Sequence, residues 1–179
     1  MANTTGKKIK DAAIIGGCAS LIYLTIGDIS YRLSLSRGGL NSKLITDMVA
    51  KSAAKKPKNE YKEKLDSMID DGADWFMHQD TEKIIIEKKH RQSLYADLIR
   101  PDKPSNVYII CIHGYTSSPA NMGIYAKKYH ELGYNVLLPS LRGHGDSEQD
   151  FITMGWNDRL DVIEWINYIA ERHPESKII

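Results

Sequence analysis

The stretch VYIICIHGY, Val107 to Tyr115, decides how the rest of the chain is read. From Val107 to Ile112 it is β-branched or apolar on both faces and carries no charge. A run of that kind suits a strand in the middle of a mostly parallel sheet, covered by helices on both sides. His113-Gly114 ends it abruptly. In open α/β sheets ligand chemistry gathers outside the carboxyl ends of such strands, so the 113–119 loop is where a site is expected. Further on, Val136-Leu137-Leu138 reads as a second buried strand closed by Pro139. It too runs into a glycine-rich loop, Leu141-Arg142-Gly143-His144-Gly145-Asp146-Ser147.

Working outward, Ile84-Ile85-Ile86 reads as a strand, and Leu94, Ala96 and Leu98 alternate like one face of another. Lys88-Lys89-His90-Arg91 lies between them as a polar turn, so an antiparallel hairpin is expected over 82–88 and 93–99. Pro101–Asn106 is a loop. After the central strand, Pro119 behind Ser117-Ser118 starts a helix, with Tyr125, Tyr129 and Leu132 on one face and Gly133 at its end. A later helix is expected over Trp156–Arg172, where Trp156, Leu160, Ile163, Ile166 or Asn167, and Ala170 follow the helical period. His173-Pro174 stops it, and Lys177-Ile178-Ile179 opens another strand.

The N-terminal part has a different character. Lys7, Lys8 and Lys10 precede Ala12–Gly27, an uncharged run bounded by Asp11 and Asp28. As a helix that run is roughly 24 Å long, against a bilayer core of about 30 Å, and flanking lysines that snorkel offset part of the difference. The expected reading is an uncleaved signal anchor embedded through residues 12–27, ahead of a cleaved signal peptide and a core helix. The lysines favour an N-inside orientation, which puts the rest of a single-pass cell-membrane protein outside the cytoplasm. Ser34–Asn41 reads as a loop, and Leu40, Leu44, Ile45, Met48 and Val49 give a helical stripe. Lys51–Lys58 is basic and contains the helix breaker Pro57. Tyr61, Leu65, Met68, Ile69, Ala73 and Phe76 mark one face of an amphipathic helix, read as packing. The expected division is therefore a signal anchor at 1–29, a helical linker region at 30–80 and an α/β domain at 81–179.

Composition narrows the function classes. The chain has 179 residues, with 24 Lys+Arg against 23 Asp+Glu, which argues for no nucleic-acid or other polyanionic partner. Its two cysteines, Cys18 and Cys111, stand far apart and build no disulfide framework. No metal-spacing cluster and no phosphate-cradling glycine loop occurs, so neither a metal nor a cofactor is expected.

The motifs HGYTSSPANM at 113–122, GYNVLLPSLRGHGDSE at 133–148 and MGWNDRLDVIEWI at 154–166 resemble bacterial α/β-hydrolases of the esterase, lipase and serine-aminopeptidase type. Several proteins of that kind carry an N-terminal membrane anchor. The resemblance implies the N-terminal half of an α/β-hydrolase sheet with flanking helices, the 107–112 strand beside 134–138 and the 177–179 strand on its other side. It also implies that the backbone N–H of Tyr115 is an oxyanion-hole donor and that His113 and Gly114 shape its loop. Arg142, Gly143, His144 and Gly145 become a structural loop beside the site. The substrate class it implies is a small-molecule ester, a lipid or a peptide. The chemistry agrees: a tetrahedral acyl intermediate gathers charge on one oxygen, and fixed backbone donors stabilise that charge without reorganising.

In this family the triad runs Ser, then Asp or Glu, then His, with the serine in G-x-S-x-G. None of Ser117, Ser118, Ser140 or Ser147 stands in that pattern. The expectation is an N-terminal piece of a membrane-anchored serine hydrolase whose nucleophile, acid and base lie elsewhere. They could lie in a separately encoded C-terminal half. The alternative is a non-catalytic, membrane-tethered interaction module.

Overall fold

A computed structural model describes residues 2–37, 59–90 and 92–179. In chain order its elements are α1 (Ala2–Leu35), α2 (Glu60–Met77), β1 (Glu82–Ile86), β2 (Leu94–Ile99), β3 (Val107–Ile110), α3 (Gly123–Glu131), β4 (Asn135–Ser140), α4 (Asp158–Arg172) and β5 (Lys177–Ile178). The 40–49 stripe and the Lys51–Lys58 segment lie outside the described residues.

The strands form one five-stranded sheet in the order β1-β2-β4-β3-β5. β1 and β2 are the expected antiparallel hairpin, β4 runs antiparallel to β2, and β3 is parallel to both β4 and β5. Neighbouring residues on each inner strand serve opposite faces. Tyr108 and Leu137 enter a cluster with Leu98, Trp165 and Ile169 beneath α4. Ile109, Val136 and Leu138 enter another with Phe76 and Ala126 beneath α2 and α3. β3 and the middle of β4 are apolar on both faces because they have no solvent face, whereas β2 turns the buried Asp97 to Lys83 on one of its faces. Burial also pushes the Cys111 thiol up to about 11, leaving it an inert core residue.

Where α2 meets α3 the backbones touch. A Cβ added at Gly123 would sit 2.0 Å from the Gly72 carbonyl oxygen, and one at Gly72 would sit 2.3 Å from the Ile124 nitrogen. This crossing sets the face of α3: Gly123 and Ala126 are buried and, of the expected Tyr125, Tyr129 and Leu132, only Tyr129 packs against the core while the other two are exposed. A single 3₁₀ turn, Pro119–Met122, precedes the helix. On α2, Phe76 reaches the core while Tyr61, Leu65 and Met68 stay exposed, so only the C-terminal part of that stripe packs.

Other expectations shift at their edges. β3 ends at Ile110, with one further backbone bond from the Cys111 amide to β4, and Ile112 is 40% exposed instead of buried. β4 continues through Pro139 to Ser140, pairing only with β2 there. On the β3 side the last bond runs from the Cys111 amide to the Leu137 carbonyl at 2.8 Å, and Pro139, having no N–H to donate, ends the ladder there. The larger correction concerns α4. It begins at Asp158, and its buried face is Asp158, Asp161, Trp165 and Ile169. The apolar positions expected inside, Trp156, Leu160, Ile163 and Ile166, are exposed.

α1 runs beyond Gly27, through Asp28 and the Ser34-Leu35 pair read as loop, before it stops. Its segment Ile14–Leu35 has a mean hydropathy of 1.4 over 22 residues and none of it is buried. At 1.5 Å per residue it is about 33 Å long, enough to cross a bilayer core.

Candidate active site at the carboxyl ends of β3 and β4

The loops after β3 and β4 are fastened to each other by two histidines. The Leu141 amide donates to His113 Nε2 at 3.1 Å, and the Thr116 amide donates to His144 Nε2 at 3.1 Å. Each ring therefore accepts from the opposite loop. Their Nδ1 atoms then carry the protons, to the Gly114 carbonyl at 3.0 Å and the Arg142 carbonyl at 2.9 Å. The rings meet edge to face with centroids 4.9 Å apart. Burial lowers the His113 pKa below its ordinary 6.5, and the neighbouring His144 lowers it further, against an opposing effect of the Gly114 hydrogen bond. Both rings are occupied at both nitrogens, which makes them braces and leaves neither free to take a proton from a nucleophile.

The 141–147 loop is also pinned from α4. The Arg142 guanidinium meets Asp161 bidentately, Nε to Oδ2 at 2.6 Å and Nη2 to Oδ1 at 2.8 Å. Asp158 accepts from the Arg142 amide at 3.3 Å, from the Thr153 hydroxyl at 2.8 Å and from the Gly155 amide at 2.7 Å. Both acids lie in the first turn of α4, where the helix dipole favours negative charge. Gly143 has φ +72°, and a Cβ there would lie 2.7 Å from the Ile152 nitrogen. The loop thus needs glycine for its conformation and for close approach to the following strand-like segment. Ser147 is fully buried and its Oγ accepts from the His144 amide at 3.2 Å, so it caps the loop. The Ser117 hydroxyl accepts from Asn121 Nδ2 at 3.2 Å.

Between these loops the chain turns tightly, with Thr116 at φ +56° and the Ser117 amide donating to the Gly114 carbonyl at 3.1 Å. Among the described residues, no group accepts from the Tyr115 amide. Tyr115 and Gly114 line an open cleft of about 450 Å³, walled mainly by Ile112, Leu141, Ile152, Met154 and Val162. His113, Gly114, Tyr115 and His144 all border it. Arg142 and Gly143 stand behind it, Gly143 and Gly145 facing an adjoining polar pocket. No group of three or more His, Cys, Asp or Glu among the described residues is placed to hold a metal.

Apolar periodicity does not reveal Asp158 and Asp161 as partners of this loop. The readable signal would have been two acids one turn apart at the start of a helix, three residues from each other and on one face. Arg37 is a further addition from outside the α/β region. Its guanidinium donates to the Ser147 carbonyl and, at 2.6 Å, to the Gly145 carbonyl.

Over 92 residues the chain is 28% identical to a thermostable monoacylglycerol lipase of Bacillus sp. (strain H-257). Its structure is similar to that of an esterase of Pyrococcus furiosus, with a TM-score of 0.50, 28% identity and 57% of this chain covered. A haloalkane dehalogenase of Paraglaciecola agarilytica gives a TM-score of 0.42 at 18% identity over 51% of this chain and 32% of that one. The chain spans 37% of the length of the lipase and 40% of the esterase. No protein-family model matches it.

Proposed function

We propose that this chain, a partial member of the α/β-hydrolase superfamily over the region its relatives cover, is the N-terminal portion of a membrane-anchored serine hydrolase acting on carboxylic esters. An ester-hydrolase-type fold is common to the lipase and the esterase it resembles. The single observation that carries the reading further is the unpaired amide of Tyr115, a residue held on a braced turn at the end of β3 and lining an apolar cleft. In the reaction a nucleophile adds to the ester carbonyl, and the carbonyl oxygen takes up negative charge. The Tyr115 N–H donates to that oxygen, and the histidine braces keep it aimed there before the charge forms. His113 and Gly114 shape the turn, and Arg142, Gly143, His144 and Gly145 form the wall that supports it.

The nucleophile, its base and the triad acid are supplied from outside residues 1–179, in the same polypeptide or in a separate one. β5 runs parallel to β3, with the Ile110 amide donating to the Ile179 carbonyl at 2.9 Å. A strand prolonged in that direction advances about 3.3 Å per residue and draws level with His113 within about four residues. α1 anchors the protein in the cell membrane, with the hydrolase portion on the extracytoplasmic side.

Fluorophosphonate labelling of native membranes, followed by capture with an antibody against residues 59–179, tests this reading. The expected result is a labelled serine on captured polypeptide, outside residues 1–179, with turnover of p-nitrophenyl esters. Capture without any labelled serine would overturn it in favour of a membrane-tethered interaction module.

A further inference from the structure

We propose that the C-terminal end of α1 holds the cleft at the membrane surface, so that the substrate is an ester borne by the bilayer itself, its acyl chain entering the cleft from the lipid. The substrate class rests on the hydrolase reading above; the placement of the cleft does not.

The argument begins with α1. Ile15, Leu21, Ile22, Tyr23, Leu24 and Ile26 are all exposed, and at 100° per residue they leave no polar face. A helix apolar all round and unburied in its own fold has lipid as its natural surroundings. The exposed Asp28–Arg32 pair, 2.8 Å apart, marks where hydrocarbon gives way to water, because charge at the bilayer centre is costly. From Arg32 to Leu35 the helix rises only about 4.5 Å.

Within that rise α1 is tied to the site loops, with no linker between. The Tyr115 hydroxyl donates to the Ser34 carbonyl at 2.6 Å. The Ile152 amide donates to the Leu35 carbonyl at 2.7 Å, and the Arg37 amide donates to the Asp150 carbonyl at 2.6 Å. Ser36 and Phe151 form a short antiparallel bridge, and the Tyr31 and Phe151 rings lie 5.6 Å apart. Arg37 reaches on to Gly145 and Ser147, so one residue after the helix clasps the loop that carries His144.

The cleft mouth is therefore at headgroup depth. What surrounds it suits that depth. Met154 is 63% and Trp156 72% exposed, Tyr115 is half-exposed, and Arg159 lies 4.2 Å over the Trp156 ring. Tyr and Trp beside a cation, with an apolar body and a polar edge, concentrate at the membrane interface. The opposite end of the sheet, where Tyr108 stacks on His173 and Asn106 faces Glu175, lies away from α1.

Depth-dependent quenching tests the placement. The full chain, with Cys18→Ser, is given one accessible cysteine by Met154→Cys or Glu175→Cys, Cys111 being buried, and is labelled with an environment-sensitive fluorophore. It is then reconstituted in phosphatidylcholine–phosphatidylglycerol vesicles containing headgroup-spin-labelled lipid. The label at 154 is expected to be quenched several-fold more than the label at 175. A glycine-serine insertion after Arg37 is expected to abolish that difference while α1 remains in the vesicle. Equal, weak quenching at both positions overturns the proposal, as does quenching at 154 that survives the insertion. These measurements read position and not turnover, so a capture experiment without a labelled serine counts against the hydrolase reading alone.

Discussion

β4 and α4 hold the same loop from opposite ends by opposite means. β4 delivers Leu141 and Arg142 to the site on a strand whose Val136, Leu137 and Leu138 are all fully buried, so apolar burial fixes it. α4 instead turns two carboxylates inward, onto Arg142 and the 153–155 segment, and leaves Leu160 50% exposed. The contrast teaches that on this molecule burial follows the needs of the loop and not the hydrophobicity of each side chain. A strand between two helix layers has no alternative to being apolar. A helix at the rim of a loop has one.

The contrast is broken most severely at Asp161. Asp161→Ala leaves Arg142 buried without its partner and is expected to cost about 3–5 kcal/mol, read by denaturant unfolding of the full chain in detergent. Adding Arg142→Met to that variant is expected to recover much of the loss, because an apolar pair of similar volume replaces a broken ion pair. Next comes the apolar side: Leu138→Ala removes a fully buried side chain and is expected to cost about 2–5 kcal/mol in the same assay. Equal damage from Leu138→Ala and Leu160→Ala would contradict the assignment of faces.

The pH dependence sharpens the comparison between the two braces and the core. The folded state holds His113 neutral, with its pKa lowered chiefly by burial. The unfolded chain therefore binds more protons below about pH 6.5, and stability falls as the pH drops through that value and levels off below the folded-state pKa. Urea midpoints between pH 8 and 5 should show this slope, and His113→Asn should flatten it. The smallest effect is expected at Leu160→Gln on the exposed face of α4, within about 0.5 kcal/mol of the parent.

The sheet was largely legible in the sequence because its signals are local. Val107–Ile110 could be read from an uninterrupted apolar run, the hairpin from alternation around Lys88–Arg91, and the end of α3 from Gly133, which has φ +80°. The strand order came from family resemblance, and the structure agrees with it. Helix faces were not legible. On α4 the apolar stripe points to solvent because Asp158 and Asp161 are drawn inward by groups distant in sequence. On α3 the deciding contact is Gly123 against Gly72, which no single stretch announces. At the site, His113-Gly114 and the Arg142–Gly145 loop stood out as motifs, but their cross-bracing could not. It requires β3 and β4 to lie side by side before Leu141 and Thr116 can reach the opposite imidazoles. Arg37 was hidden for the same reason, with its partners more than a hundred residues away.

The glycine crossing of α2 and α3 has a genetic consequence. Every missense change of one nucleotide in a glycine codon installs a residue with a Cβ. At position 72 or 123 each of those residues brings its first carbon within 2.3 Å or 2.0 Å of main-chain atoms, which no choice of rotamer can relieve. In a library of single-nucleotide variants, both positions should therefore stand as empty columns, beside surface neighbours such as Asp71 and Tyr125 that accept many letters.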